Sequence, residues 1–182
     1  MKKIFLSSLL ILISSSLVFS QWTNRSVSNE ISNDVTNTIN DFKETEELAM
    51  YFEQAYGYAI FPSVKKGGLG IGGARGKGQV FANEKLIGDS SLTQINLGVN
   101  FGFQSYKEII FFKDRADLDR FTSGNFELGA QASAVAINSG VAAEVEYSNG
   151  VAIFTKTIGG LMVEASIGGQ KFNFNPVLKW SI

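Results

Sequence analysis

A strict alternation of apolar and polar positions over 94–104, QINLGVNFGFQ, restricts this part of the chain to a β-strand. One side of the strand carries only glutamine, asparagine and glycine. The other side carries five apolar residues: Ile95, Leu97, Val99, Phe101 and Phe103. Because successive side chains on a strand point to opposite faces, the pattern predicts a long strand whose apolar face is buried.

Short runs of β-branched and aromatic residues, which are typical of β-strands, recur from Gly57 onward. The run EIIFF at 108–112 predicts a second apolar strand, which begins after a turn at 105–107. Further strands are predicted at 130–138, 141–147, 151–155 and 159–174.

Two segments have a helical period instead. Over 30–55, apolar side chains recur every three or four positions, which predicts an amphipathic helix. Its other face is polar or acidic, so packing on the domain core is favoured over a position on a membrane surface. A short helix is predicted over 114–122, with Asp114 as its N-cap and with Leu118 and Phe121 facing the core.

These elements predict one α+β domain over 30–182, with a helix over 30–55 and a β-rich part over 56–182. The strands are expected to form a mainly antiparallel sheet, either a curved sheet or a barrel-like sandwich. Of the 182 residues, 45% are hydrophobic, which is sufficient for a single core.

The first residues have the pattern of a secretory signal peptide over 1–20. Lys2 and Lys3 precede an apolar run, and small residues before Gln21 predict cleavage near Ser20. Residues 21–29 are polar and are predicted to be a flexible mature N-terminus. We therefore expect an exported protein that is periplasmic or associated with the cell envelope.

The absence of two residue types excludes several kinds of catalytic and metal-binding site. The sequence has no cysteine and no histidine, which excludes disulfides, thiol or Ser-His-Asp catalysis and the usual zinc sites. Removal of Lys2 and Lys3 leaves 14 basic residues against 17 acidic ones, a formal net charge of about −3. No cofactor and no metal are expected, and a nucleic-acid partner is disfavoured in an exported, mildly acidic protein.

A glycine-rich stretch, KKGGLGIGGARGKG at 65–78, carries charge of one sign only. Its glycines either allow close packing of strands or present backbone N–H groups as an anion nest: Gly68, Gly70, Gly72, Gly73, Gly76 and Gly78. A dinucleotide loop is excluded because no helix follows the stretch. Four cations lie between Glu53 and Glu84 without an acidic residue, and they form either an anion site or a solvated rim: Lys65, Lys66, Arg75 and Lys77.

A weak internal repeat relates this region to the end of the chain. The segment that begins GYAIF at Gly57 and the segment that begins GVAIF at Gly150 share a following GGL and a glycine-rich second arm. Each copy is predicted to form a hairpin. The cationic cluster occurs in the first copy only, so the glycines belong to the scaffold and the charges to a separate role.

The stretch YAIFPSVKKGGLGIGGARGKGQVF resembles the SYLF domain family, the lipid-binding and Las17-binding actin-regulator group. The motifs GFQSYKEIIFF, LDRFTSGNFELGAQASAVAI and GGLMVEASIGGQKFNF resemble its bacterial exported branch, so that the likeness covers about residues 40–175. The resemblance implies lipid binding through basic residues, here Lys65, Lys66, Arg75 and Lys77. An actin partner is not expected for an exported chain.

The expected function is non-enzymatic binding of phospholipid at a membrane surface in the cell envelope. The cations would contact the anionic head group, and nearby apolar residues would contact acyl chains: Leu69, Ile71 and Phe81. One alternative is a small eight-stranded outer-membrane β-barrel, because alternating strands and many glycines fit that design. A further alternative is a carboxylate-dependent hydrolase that uses Glu144, Glu146 or Glu164. The lipid and the oligomeric state are left open by the sequence.

Overall fold

The computed structural model describes residues 30–69, 71–124, 126–128, 135–137 and 146–177. The predicted signal peptide at 1–20 and the predicted flexible segment at 21–29 lie outside the described residues. Most of the predicted strands at 130–138 and 141–147 lie outside them as well.

The described strands form one six-stranded sheet in the order β1-β2-β3-β6-β4, with β5 paired to β6. All pairings are antiparallel except the short parallel contact of β5 with β6. The strands are β1 (Gly57–Leu69), β2 (Ile71–Ala82), β3 (Lys85–Phe112), β4 (Phe126–Leu128), β5 (Val135–Ala136) and β6 (Val151–Pro176). The predicted α+β class with a curved, mainly antiparallel sheet is confirmed, and the sheet is not closed.

Two strands are much longer than the sequence predicted. Strand β3 runs without interruption through 105–107, where a turn was expected, because both β1 and β6 pair with it on either side of that point. Strand β6 likewise joins the predicted strands at 151–155 and 159–174, with a register shift near Thr157. The prediction of a second hairpin from the internal repeat is therefore wrong. The first copy forms the β1–β2 hairpin, whereas the second copy is a single strand.

The predicted N-terminal helix is interrupted. It consists of α1 (Asn33–Lys43), a 3₁₀ turn (Glu46–Leu48) and α2 (Ala49–Gln54). The hydroxyl of Ser32 caps α1 by accepting a hydrogen bond from the backbone N–H of Val35 at 3.2 Å. The short helix α3 (Arg115–Thr122) begins as predicted, with the Asp114 carboxylate accepting from the N–H of Asp117 at 3.0 Å.

The sheet curves strongly enough to bring distant strands together. The rings of Phe61 on β1 and Phe172 on β6 have centroids 5.6 Å apart, although β1 and β6 are not paired with each other and β3, which pairs with both, lies between them. Adjacent strands are about 4.8 Å apart, so this contact requires the sheet to wrap around its concave face. Leu118 and Phe121 of α3 pack on that face, as predicted.

The convex face packs against the N-terminal helices. Val35 and Phe42 of α1 contact a core of sheet residues that includes Ile60 and Phe111. The Asp41 carboxylate on α1 also accepts hydrogen bonds from the ammonium groups of Lys107 and Lys156. The helix is therefore held to the sheet by apolar burial and by ion pairs, in agreement with the predicted packing on the core.

Farther from the helices, the pattern of burial is reversed. The apolar residues predicted to form a buried face include Ile95 and Phe103, yet these side chains are 65% and 75% exposed on the convex face. The polar residue Asn96, which points to the concave side between them, is fully buried. The alternation along this strand was predicted correctly. The prediction of which face of the strand packs on the core was wrong.

Among the described residues, no helix has the length and apolar character that a membrane span requires.

Candidate functional site

The convex face of the β1–β2–β3 region presents its side chains in rows that cross the strands. Cross-strand pairing aligns Lys65 with Arg75 and then Thr93, and it aligns Ser63 with Lys77 and then Ser91. Successive rows on one face are ~6–7 Å apart, since they are separated by two residues along each strand. Three of the four predicted cations therefore lie in two neighbouring rows on one surface.

A cavity of about 940 Å³ lies at these rows, and the beginning of α1 forms its opposite wall. We call it the cationic cavity. Its charged lining comprises three cations and two carboxylates: Lys65, Arg75, Lys77, Asp34 and Asp89. Hydroxyl groups of Ser63, Ser91 and Thr93 stand beside the cations. The cavity can therefore offer several hydrogen-bond donors to an anion, and two acceptors at the end near the helix.

Gln79 fixes the helix wall of this cavity. Its side-chain carbonyl accepts from the backbone N–H of Ser32 at 3.0 Å, and its amide donates to the carbonyl of Glu30 at 3.1 Å. The same amide donates to the Asp89 carboxylate at 3.1 Å. One buried side chain thus connects the start of α1 to β2 and β3 and positions the helix wall of the cavity.

Lys66 does not join the other three predicted cations. Its neighbours in sequence, Lys65 and Gly67, lie on the convex face, whereas Lys66 points to the concave side, where its charge acts on Glu108. Alternation along β1 separates the two adjacent lysines by the thickness of the sheet. The sequence could not show which of them shares a face with Arg75, because this depends on the register of the hairpin, in which Leu69 pairs with Ile71.

The glycines lie within paired strands. Gly68, Gly72, Gly73, Gly76 and Gly78 all have partners in the ladder, and none of them has a positive φ. A side chain at Gly78 would meet the backbone oxygen of Ile60 at 2.2 Å, and one at Gly76 would meet the Val64 side chain at 2.9 Å. These distances favour close packing over a backbone anion nest, which needs alternating left- and right-handed residues. Gly70 lies outside the described residues.

Beyond the cationic rows, the convex face becomes apolar. Leu69 and Ile71 are paired across the hairpin and are 83% and 72% exposed. Leu69 also pairs with Phe101. We call this surface the apolar tip, and it consists of Leu69, Ile71, Ile95, Leu97, Phe101 and Phe103. Contiguous exposed apolar side chains of this number usually mark a surface that contacts a partner or a membrane.

Phe81 is not part of this surface. It was expected to contact acyl chains with Leu69 and Ile71, but it lies at the opposite end of β2. There it is 1% exposed and stacks on the ring of Tyr58 with centroids 4.9 Å apart. The structure therefore assigns Phe81 to the core beneath the helices.

The concave side of the sheet contains a buried carboxylate that the sequence analysis did not single out. Glu108 has no exposed surface, and one of its oxygens accepts from the Gln170 amide at 2.9 Å. Burial raises the pKa of Glu108 to about 7, against the opposing effects of Gln170 and Lys66. Its position at the charged end of the apolar run EIIFF gave no sign of burial. The curvature of the sheet, which the sequence does not show, encloses it.

The carboxylates considered for a hydrolase do not form a described cluster. Glu146 is exposed, Glu144 lies outside the described residues, and Glu164 lies on a part of β6 whose side chains are not described. The described part of the chain contains no group of three acidic, histidine or cysteine side chains that could hold a metal ion.

Comparison with known proteins identifies the family. The sequence model described as "Ysc84: Las17-binding protein actin regulator" matches residues 93–176. "Beta cell expansion factor A" of Aeromonas veronii, a SYLF-family protein, is 30% identical over 133 residues, which are 72% of this chain. The chain belongs to the SYLF family. The SYLF chain spans about half the length of that curated relative, 50% of which is matched. No solved structure matches this chain.

The family match begins at Thr93 and so covers most of β3 and all of β6 within the SYLF domain. The β1–β2 hairpin, which carries Lys65, Arg75 and Lys77, precedes the matched residues. The SYLF family is consistent with a lipid-binding or actin-regulator-like role. The described features of this chain that bear on such a role are the cationic cavity and the apolar tip.

Proposed function

We propose that this SYLF protein binds phospholipid at a membrane surface of the cell envelope and performs no covalent chemistry. The observation that carries this proposal is the continuity of two surfaces on one sheet face. The cationic cavity, with Lys65, Arg75 and Lys77, lies directly above the apolar tip along the same two strands. A phospholipid has the same order of groups, with a charged head attached to apolar chains.

The rows of the hairpin support a definite orientation of the lipid. The row of Lys65 and Arg75 is followed by a row that contains Gly67 and Gly73, and then by Leu69 and Ile71. The glycine row leaves little side-chain bulk on β1 and β2 between the charged and apolar parts, apart from the Phe103 ring that lies on Gly67. A head group at the cations would therefore direct its acyl chains along the strands toward the tip.

The cationic cavity and the apolar tip both contribute to the expected affinity for a membrane. Each cation near an anionic membrane surface contributes about 1 kcal/mol, and this contribution weakens as salt increases. Each large apolar side chain of the tip gains about 1.5–3 kcal/mol if it is fully transferred out of water. Partial insertion of several such side chains together with three cations is sufficient for stable peripheral binding.

Flotation with vesicles tests the proposal. We expect wild type to float with vesicles that contain anionic phospholipid, and we expect a Lys65→Ala, Arg75→Ala, Lys77→Ala variant to bind at least tenfold more weakly at low salt, by about 1 kcal/mol for each cation. The matched control is a Lys85→Ala, Lys113→Ala, Arg115→Ala variant, which removes two lysines and one arginine from exposed positions outside the cavity. Equal binding by the cavity variant and the wild type would overturn the proposed head-group contact.

Export to the cell envelope is part of the same proposal, supported by the signal-peptide pattern at 1–20. Fractionation of the native host should recover a chain that begins near Gln21 in the envelope or the medium. Recovery of a full-length chain from the cytoplasm would contradict export and would reopen other partners, including cytoplasmic proteins.

A further inference from the structure

The cationic cavity contains carboxylates as well as cations, and the two are separated in space. Gln79 and Asp89 are cross-strand partners, so Asp89 lies in the row next to Lys77 and Ser91 on the side nearer the helix. Asp34, in the first turn of α1, lines the same end. Along the convex face, from helix α1 toward the apolar tip, the rows therefore carry first carboxylates, then cations, then glycines and finally apolar side chains.

A site for a simple anion would be weakened by two carboxylates, because like charges near the bound group oppose it. A head group with a phosphate followed by a primary ammonium uses both signs of charge. Adjacent rows are ~6–7 Å apart, a separation that a two-carbon linker between phosphate and ammonium can approximately span when flexible side chains close the remainder.

From this geometry we infer that the cavity selects zwitterionic phosphoethanolamine head groups, with phosphate held by Lys77 and Arg75 and the ammonium by Asp89. This inference rests on the proposed lipid binding and specifies its ligand class. The primary ammonium has three N–H donors, and charge-assisted hydrogen bonds to a carboxylate are stronger than neutral ones. A quaternary ammonium of the same charge has none, so phosphocholine cannot make these bonds.

Asp89 is already oriented for this role. The Gln79 amide donates to one of its oxygens at 3.1 Å, and Gln79 is itself held by the backbone of Glu30 and Ser32. The carboxylate therefore has a fixed position without an ion-pair partner among the described salt bridges. A lipid ammonium would supply the missing positive charge.

Three vesicle compositions test the inference with the full mature chain at one pH and low salt. They are phosphatidylcholine alone, phosphatidylcholine with phosphatidylethanolamine, and phosphatidylcholine with phosphatidylglycerol. We expect wild type to bind the ethanolamine vesicles about tenfold more tightly than phosphatidylcholine alone, the effect of one charge-assisted hydrogen bond. Asp89→Asn should abolish this preference, because the amide keeps an acceptor for Gln79 but loses the negative charge.

Asp119→Asn, which removes the same charge on α3, is the matched control and should keep the preference. Asp34→Asn is a second cavity variant in case Asp89→Asn lowers stability, and it should reduce the preference as well. Equal ethanolamine preference in wild type, Asp89→Asn and Asp34→Asn would overturn the inference.

The three vesicle compositions distinguish failure of this inference from failure of the proposed function. Binding of phosphatidylglycerol vesicles without any preference for ethanolamine vesicles would overturn the ligand class and leave phospholipid binding standing. No binding to any of the three compositions would overturn both. Competition by soluble glycerophosphoethanolamine, but not by glycerophosphocholine, would support recognition of the head group itself.

Discussion

Glu108 on β3 and Gln170 on β6 meet across the concave face of the sheet, where the Gln170 amide donates to the carboxylate at 2.9 Å. The other Glu108 oxygen has no hydrogen-bond partner among the described residues. A buried carboxylate with an unpaired oxygen favours its neutral form, which can donate its own proton. The strand curvature that creates this contact also places a titratable group in the interior.

Stability should fall as pH rises from about 4.5 to about 7. The ordinary carboxyl pKa of 4.5 applies to the unfolded chain, and burial raises the pKa of Glu108 to about 7 in the fold. The folded state therefore holds a proton that the unfolded state releases between these values. The stabilising contribution is complete below about pH 4.5 and is lost as pH rises toward 7, by about 3.5 kcal/mol in total at ~1.4 kcal/mol per pKa unit. Urea denaturation at pH 5 and pH 8 measures the difference.

Glu108→Gln should remove most of this pH dependence, because glutamine cannot ionise and can still accept from Gln170. The chain has no histidine, so few other side chains titrate in the same interval. We expect the variant to be more stable than wild type at pH 8. An unchanged stability difference between pH 5 and pH 8 in Glu108→Gln would assign the effect to other groups.

The ion pairs of Asp41 should stabilise the packing of α1. Burial acts to raise the pKa of Asp41, but Lys107 and Lys156 outweigh it and hold the pKa below its ordinary value of 3.8. This contribution is present above that pH and is lost as acid protonates Asp41. Asp41→Asn should cost about 2 kcal/mol, as expected for hydrogen bonds between charged groups.

Asp119→Asn provides the comparison for that variant. Asp119 pairs with Arg115 at 3.4 Å on the exposed side of α3, where an ion pair contributes at most about 0.5 kcal/mol. Thermal melts of both variants at neutral pH should separate them clearly. Similar melting temperatures would mean that the Asp41 pairs do not anchor the helix.

Gly78 should be intolerant of any side chain. A Cβ at this position would lie 2.2 Å from the Ile60 backbone oxygen and 2.6 Å from the Phe61 ring. Gly78→Ala is expected to destabilise the fold by about 3 kcal/mol, since backbone must move to relieve the contact. Gly159→Ala is the control, because a Cβ there meets nothing within 4 Å. A melting temperature for Gly78→Ala equal to that of Gly159→Ala would argue against this packing.

The apolar tip should contribute to vesicle binding without contributing to stability. Leu69 and Ile71 are largely in water in the free protein, so Leu69→Ser with Ile71→Ser should leave the melting temperature nearly unchanged. Binding to anionic vesicles should weaken by at least tenfold, since about 1.4 kcal/mol or more of apolar transfer is lost.

Met50→Ser supplies the control for the tip. Met50 is an exposed apolar residue on α2, at 38% exposure, and it lies away from the hairpin end. Its replacement should not alter vesicle binding in the flotation assay. An equal loss of binding in both variants would show that general surface hydrophobicity, rather than the tip, governs association.

Local sequence patterns were sufficient for most elements. The alternation around Ile95 and Phe103 required a strand, and the spacing of Val35 and Phe42 required a helix that packs by one face. The residues Asp114, Leu118 and Phe121 specified the cap and the buried side of α3. These features depend on periods of 2 and 3.6 residues and on capping, which act within a few residues of the chain.

The candidate site was predictable only in part. The sequence indicated that Lys65, Arg75 and Lys77 share a charged stretch, but Lys66 belongs to the other face and Phe81 to the core. Asp89 and Asp34 join the cavity from β3 and α1, which no spacing in the sequence relates to the hairpin. Their proximity is a consequence of strand pairing and of helix docking through Gln79.

The sequence by itself determined that apolar and polar residues alternate along the strands. It also determined where glycines allow strands to approach and which residues can carry charge. Tertiary structure alone decided which side of each strand is inside. Curvature of the sheet buries Asn96 and Glu108 and leaves Leu69 and Phe103 in water. The reason is physical: alternation defines two faces but not their environments, which depend on contacts between strands and helices far apart in the chain.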